Sequence, residues 1–93
     1  NIAIPSIDTN ILIRTLENGD KIKINNSEKK ASELMRAFGL RGLLKEVWPL
    51  LLVEEEIIWI PGIRKSDTAL DFQKNNYSHI ISASIEKSNI ENF

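Results

Sequence analysis

Between Trp48 and Ile63 the sequence reads WPLLLVEEEIIWIPGI, and its only charged residues are three consecutive glutamates. Two near-continuous apolar runs, residues 50–53 and 57–60, are bounded by Pro49 on one side and Pro61-Gly62 on the other. Runs of that length between turn signals are strands, and strands apolar at every position are buried on both faces. Joined through Glu54-Glu55-Glu56, they predict a hairpin at the centre of the sheet packing. Everything else in the chain has to cover it.

The chain is 93 residues long, enough for one domain with a small core, since a chain of this size removes somewhat over ~60% of its unfolded surface from water. Apolar and charged fractions of 42% and 27% are those of a globular protein, which excludes a wholly disordered or collagen-like chain. Cysteine is absent, so neither a disulfide framework nor a thiolate metal site is available. No apolar run approaches the ~20 residues that cross a bilayer, and no charged start followed by an apolar segment looks like a signal peptide. The expectation is a soluble, cytoplasmic protein with no membrane partner. The sequence opens on Asn1 rather than Met, which suggests a piece of something longer.

On either side of the apolar hairpin the pattern changes. Residues 10–16 and 21–24 read as two strands around Asn18-Gly19, a strong two-residue hairpin signal. That register sets Ile13 against Ile24 and Thr15 against Ile22 on one face. On the other it sets Arg14 against Lys23 and Glu17 against Asp20, two like-charge pairs that a hairpin resists. Either the loop is longer than two residues or, as is expected here, Arg14 and Asp20 find partners from another part of the domain. An acid repels phosphate, so Asp20 is itself expected to hold Arg14 or a backbone amide in place. Ser27 is a good N-cap, and Ala31, Leu34, Met35 and Phe38 form one helical stripe ending at Gly39. A helix of that span presents Lys29, Lys30, Glu33 and Arg36 outward. A second short helix, residues 41–47, stops at Trp48 because of Pro49. Residues 66–76 read as a soft polar region and 77–85 as a last strand with Tyr77, His79, Ile81, Ala83 and Ile85 on one side; residues 87–93 are polar and expected to fray. The fold class expected is α+β, a small single domain over residues 1–93, mainly antiparallel β-sheet hairpins with two short helices.

Catalytic patterns are few. The one histidine, His79, lies among Ser78, Ser82 and Ser84 on a face shared with apolar residues, where a partly buried structural role outweighs that of a general base. Asp67 and Asp71 sit in polar surroundings with no apolar pocket to split their pKa values. No cluster has metal-ligand spacing, and the four glycines form no phosphate-binding loop. Net charge is −1, but residues 29–45 hold Lys29, Lys30, Arg36, Arg41 and Lys45 against Glu33 alone. Several cations on one face suit phosphate neutralisation; a charged helix face is also commonly just solvated.

The order of residues adds a resemblance. Arg14, Gly19-Asp20, Lys29-Lys30, Trp48-Pro49 and then IWIPGIRKS (residues 58–66), with Trp59, Pro61, Gly62 and Arg64, resemble the C-terminal domain of bacterial tRNA(Ile)-lysidine synthetases from about Ile11 to Asp67. The Trp-x-Pro-Gly-x-Arg element is the most specific. Two departures stand out: Lys45 replaces an Arg common before the Trp-Pro strand, losing its bidentate fork, and Leu40-Arg41 replaces Ile-Pro.

The resemblance implies a PheT/TilS-like domain that docks the acceptor stem of tRNA(Ile) for a larger enzyme, one that uses ATP to join lysine to the wobble cytidine. The ATP and Mg sites would belong to a catalytic domain carrying a Ser-Gly-Gly motif, which this sequence lacks, so the fragment itself is expected to be non-catalytic and to work beside the rest of its parent synthetase. Acceptor stems are A-form duplex, read by phosphate, 2′-hydroxyl and shape. The expected RNA side comprises Lys29, Lys30, Arg36, Arg41, Lys45 and Arg64, with Lys65 at its edge and Arg14 secondary; Gly19, Asp20, Trp48, Pro49, Trp59, Pro61 and Gly62 are expected to be structural. A protein-interaction or homodimerisation module using the apolar sheet is the alternative, and a small hydrolase centred on His79 a remote third.

Overall fold

The computed structural model describes residues 2–4, 10–75 and 79–81. In chain order the elements are β1 (Ile2–Ile4), β2 (Ile11–Arg14), β3 (Lys21–Ile24), β4 (Ser27–Lys30), α1 (Ala31–Phe38), α2 (Leu43–Val47), β5 (Leu50–Val53), β6 (Glu56–Ile60), β7 (Arg64–Lys65), α3 (Asp67–Lys74) and β8 (His79–Ile81). The fold is α+β with antiparallel sheets, and it has three short helices rather than the two expected.

The apolar hairpin stands at the centre. β5 and β6 are the two inner strands of a four-stranded sheet in the order β2-β5-β6-β7, and every residue of β5 is buried. Alternation along β5 sends Leu50 and Leu52 into one core, with Ile22, Ile24, Ala31, Met35 and Leu40, and sends Leu51 and Val53 into the other, with Ile2, Ile4 and Ala69. The first core is closed by the β3–β4 hairpin and α1, the second by β1 and α3. A bulge between Leu51 and Leu52 re-phases β6, since Leu51 faces Trp59 while Leu52 faces Ile57. Ile58 is the extra residue, so Ile58 and Trp59 both enter the second core while Ile57 and Ile60 enter the first.

Strand pairing departs from the expected hairpin. Asn18 and Gly19 do form a turn, with Gly19 at φ +87°, but the strands around it do not pair with each other. β2 joins β5, with Arg14 opposite Leu50, and β3 joins β4, with Lys21 opposite Lys30. β5 is apolar on both faces and needs a ladder partner on both edges, which β2 supplies. The turn that carries the local hairpin is Asn25-Asn26, both in the left-handed region that Asn tolerates. Thus the two like-charge clashes of the expected register do not arise.

Ser27 opens a strand instead of capping a helix. α1 begins at Ala31 with Lys30 at its N-cap and no side chain capping it, and it ends as expected on Gly39 in a left-handed conformation. Ala31 and Met35 are buried and Leu34 packs beside them, but Phe38 is exposed. α2 starts two residues later than expected, at Leu43, which leaves Arg41 in the connection. The soft polar region holds a third helix: Ser66, fully buried, accepts the amide of Ala69 at 3.1 Å as N-cap and donates its own amide to Ile58. Within the expected last strand, residues 79–81 pair antiparallel with β1, His79 opposite Ile4. The side chain of His79, the rest of that strand and residues 87–93 lie outside the described residues.

Candidate nucleic-acid interface

Arg14 and Asp20 are joined across the Asn18-Gly19 turn. The Arg14 guanidinium donates through both Nη atoms to the two carboxylate oxygens of Asp20, at 2.8 and 3.0 Å. Asp20 also accepts the Glu17 amide at 2.8 Å, and its carbonyl accepts the amide of Ala31 at 3.0 Å, the first residue of α1. Glu17 lies 3.6 Å from the same guanidinium. The hydrogen bonds from Arg14, with a further contribution from the Glu17 amide, hold the Asp20 carboxyl below the usual carboxylate range against the opposing effect of desolvation, and Asp20 raises Arg14 in turn. Asp20 thus holds both Arg14 and a backbone amide, and the two charged residues pair with each other across the turn rather than with another part of the domain as expected. Arg14 is engaged in a brace and is poorly placed to reach for phosphate.

The brace shapes a cleft of about 340 Å³ lined by Leu16, Glu17, Asn18, Gly19, Asp20, Lys30, Ser32 and Lys45. Of the eight cations expected on an RNA side, it brings together Lys30 and Lys45. Lys29 is adjacent to Lys30 on a strand rather than a helix, so the two point to opposite faces. The single helical face expected for Lys29, Lys30 and Arg36 does not exist, and Arg41 does not share a helix with Lys45. Arg64 and Lys65 form β7 and line a separate shallow concavity with Trp59, Gly62 and Ile63. Asn18 enters this cleft from the turn that Asn18-Gly19 signals, whereas Ser32 lines it without any sequence signal that singles it out.

Seven of those eight cations, Lys29, Lys30, Arg36, Arg41, Lys45, Arg64 and Lys65, make no ion pair or side-chain hydrogen bond among the described residues. Arg14 alone is consumed internally. Nothing among the described residues groups three His, Asp or Glu side chains around a metal position, and no described helix is long and apolar enough to cross a membrane.

The two motif tryptophans pack in or against the cores. Trp59 is buried in the second core, and Trp48, packed against the first, donates its indole N–H to the carbonyl of Pro61 at 2.9 Å. Gly62, at φ +77°, lies beside that ring, where an added Cβ would be 3.8 Å from Trp48 Cζ2. Trp48, Pro61 and Gly62 therefore form one joint between the α2–β5 connection and the β6–β7 turn.

Over 61 residues the chain is 31% identical to the tRNA(Ile)-lysidine synthase of Thermotoga maritima, and it has the same identity to that of Thermotoga sp. (strain RQ2). The match takes in 64% of this chain and about 15% of the length of each relative. No family model and no solved structure matches. The chain carries a region related to tRNA(Ile)-lysidine synthases.

Proposed function

We propose that this chain is a non-catalytic tRNA-recognition domain, the C-terminal domain of a cytoplasmic tRNA(Ile)-lysidine synthetase, and that it docks the acceptor stem of tRNA(Ile). The parent enzyme would carry out the ATP-dependent ligation of lysine to the wobble cytidine elsewhere in its chain. The observation that carries the reading is the set of seven cations left without carboxylate partners among the described residues, in a chain whose net charge is −1. A chain with slightly more acids than bases has carboxylates enough to pair its cations, yet these stay open to an external polyanion. The similarity to tRNA(Ile)-lysidine synthases supplies the class of that polyanion. Cations spread over several shallow surfaces suit a duplex recognised by backbone and shape better than they suit base-reading pockets.

The test is fluorescence anisotropy with three RNAs: whole tRNA(Ile), an acceptor-stem minihelix and an anticodon stem-loop. The expected result is comparable affinity for the first two, weaker binding of the third, and a steep linear fall of log K with log salt. Equal binding of all three removes the acceptor-stem assignment, and absence of binding removes the RNA reading.

A second reading has one observation in its favour. β2 is an edge strand of the central sheet, and Leu12 and Ile13 on it are 53% and 61% exposed. Exposed apolar edges pair with other chains, so a contact with the rest of the parent enzyme or with a second copy fits this edge. Sedimentation of the chain with and without tRNA separates the two: self-association with no shift on adding RNA favours the interaction module.

A further inference from the structure

The geometry points to the cleft between the Asn18-Gly19 turn and the start of α1 as the seat of a single RNA backbone phosphate, held by Lys30 and Lys45 with Ser32 as a neutral donor. This deepens the RNA reading above and rests on it. Three observations converge here.

Lys30 and Lys45 come from different elements, the end of β4 and α2, and line one concavity with Ser32. Neither lysine has a carboxylate partner among the described residues. Two cations lining one cleft suit an anion bound between them.

Lys30 is also directly opposite Lys21 in the β3–β4 ladder. Like charges in that position are unfavourable. Lys21 is relieved by Glu28 on the neighbouring strand, at 3.8 Å, and Lys30 has no such relief. The sequence thus leaves a cross-strand charge without an ion-pair partner on a residue that lines this cleft, where a bound phosphate would compensate it.

Of the two acids that line the cleft, Asp20 is fully engaged and Glu17 is loosely held. Both oxygens of Asp20 are occupied by Arg14, one of them also by the Glu17 amide, and Glu17 leans on the same guanidinium. Arg14 is therefore a positioning residue: it offsets one of the two negative charges on the acidic side of the cleft and fixes the turn that forms its wall. Arg64 and Lys65, in their separate concavity, belong to a different contact.

The test compares Lys30→Gln/Lys45→Gln with Arg64→Gln/Lys65→Gln, which removes the same charge from the other concavity. Each is titrated with tRNA over a range of salt, after circular dichroism and thermal unfolding establish that the variant is folded. The seat predicts a loss of about tenfold for the first pair and a salt slope reduced by about one, as expected when one phosphate is no longer neutralised, with a smaller loss for the second pair. Lys30→Arg/Lys45→Arg should restore most of the affinity. Backbone amides of Gly19 and Ser32 should shift with tRNA and only weakly with inorganic phosphate. If wild type binds tRNA and the first pair loses no more than the second, the seat is wrong and the RNA reading stands. If wild type does not bind tRNA, the RNA reading and the seat both fall. Strong saturable shifts with inorganic phosphate alone would mark a small-phosphate site and overturn the RNA assignment.

Discussion

The guanidinium of Arg14 spans the turn at Asn18-Gly19 and closes a two-point hydrogen-bonded ion pair with Asp20, whose side chain is 11% exposed against 23% for Arg14. Such a pair is stronger than an exposed salt bridge because both partners are partly desolvated and the fork fits the carboxylate. Arg14→Lys keeps the charge and loses the fork, and is expected to cost about 1–2 kcal/mol. Asp20→Asn also removes the acceptor of the Glu17 amide and should cost as much or more. Urea unfolding of both variants checks this.

The same pair sets an acid limit. Asp20 titrates below its unfolded value, mainly through the hydrogen bonds from Arg14, so the pair's stabilisation is full above the unfolded carboxylate pKa of about 3.9 and is lost as pH falls through the folded value. Stability measured from about pH 5 down to pH 3 should fall more steeply in wild type than in Asp20→Asn. Parallel curves would mean that Asp20 adds nothing to the acid transition.

Asp67 ties α3 to the β3–β4 turn: its two carboxylate oxygens accept the amides of Asn25 and Asn26 at 2.9 and 2.8 Å. Those two hydrogen bonds, Asn26 first, lower its pKa. Asp67→Asn leaves one acceptor oxygen where two are needed. Amide exchange at Asn25 and Asn26 should accelerate in that variant at neutral pH, and in wild type should accelerate relative to the rest of the hairpin only at acid pH, below the ordinary carboxylate range. The amide shifts of both asparagines in wild type should report one titration there.

How far the sequence discloses this molecule differs by region. The apolar hairpin was legible because strands buried on both faces leave no other composition, and Gly39 and Pro61-Gly62 marked ends that the structure keeps. The partner of β2 was not legible: Asn18-Gly19 is a local signal, and the demand of β5 for a second ladder partner is a long-range one that overrides it. Asn25-Asn26 and the Ser66-Asp67 start of α3 carried usable turn and cap signals that the weak apolar content around them hid. At the site, charge pairing showed that Arg14 and Asp20 needed partners but sent them to another part of the domain; the structure pairs them with each other, the role that an acid unsuited to phosphate left open for Asp20. The grouping of Lys30 with Lys45 was not legible, because it depends on Lys30 closing a strand instead of riding on a helix.

The β5–β6 turn places Glu54 and Glu55 at φ +50° and +69°, a conformation that suits Asn-Gly. Glu54 is retained by function within the fold, since its side chain accepts the amide of Asn10 at 3.0 Å. Glu55 has no such contact among the described residues, so Glu55→Gly should raise stability by about 0.5–1 kcal/mol, as relief of left-handed strain exceeds the added chain entropy. A lower unfolding midpoint would show that the turn relaxes differently.

The Trp48–Pro61 joint gives the last expectation. Trp48→Phe keeps most of the apolar contact with the first core and removes the one donor to the Pro61 carbonyl, a group on a buried residue. The expected loss is about 1–2 kcal/mol, more than a solvated hydrogen bond contributes, because the carbonyl is left without its partner. Gly62→Ala separates the backbone from the packing at the same joint. An added Cβ would lie 3.8 Å from Trp48 Cζ2, an ordinary contact, so its cost comes from φ +77° alone and should be about 1 kcal/mol. In the Trp59→Phe background, where Trp48 is the sole indole, Gly62→Ala should leave the emission wavelength of the folded protein unchanged while lowering the unfolding midpoint. A red shift in the folded state would mean that the ring itself is displaced, and that Gly62 is needed for space as well as for its backbone angle.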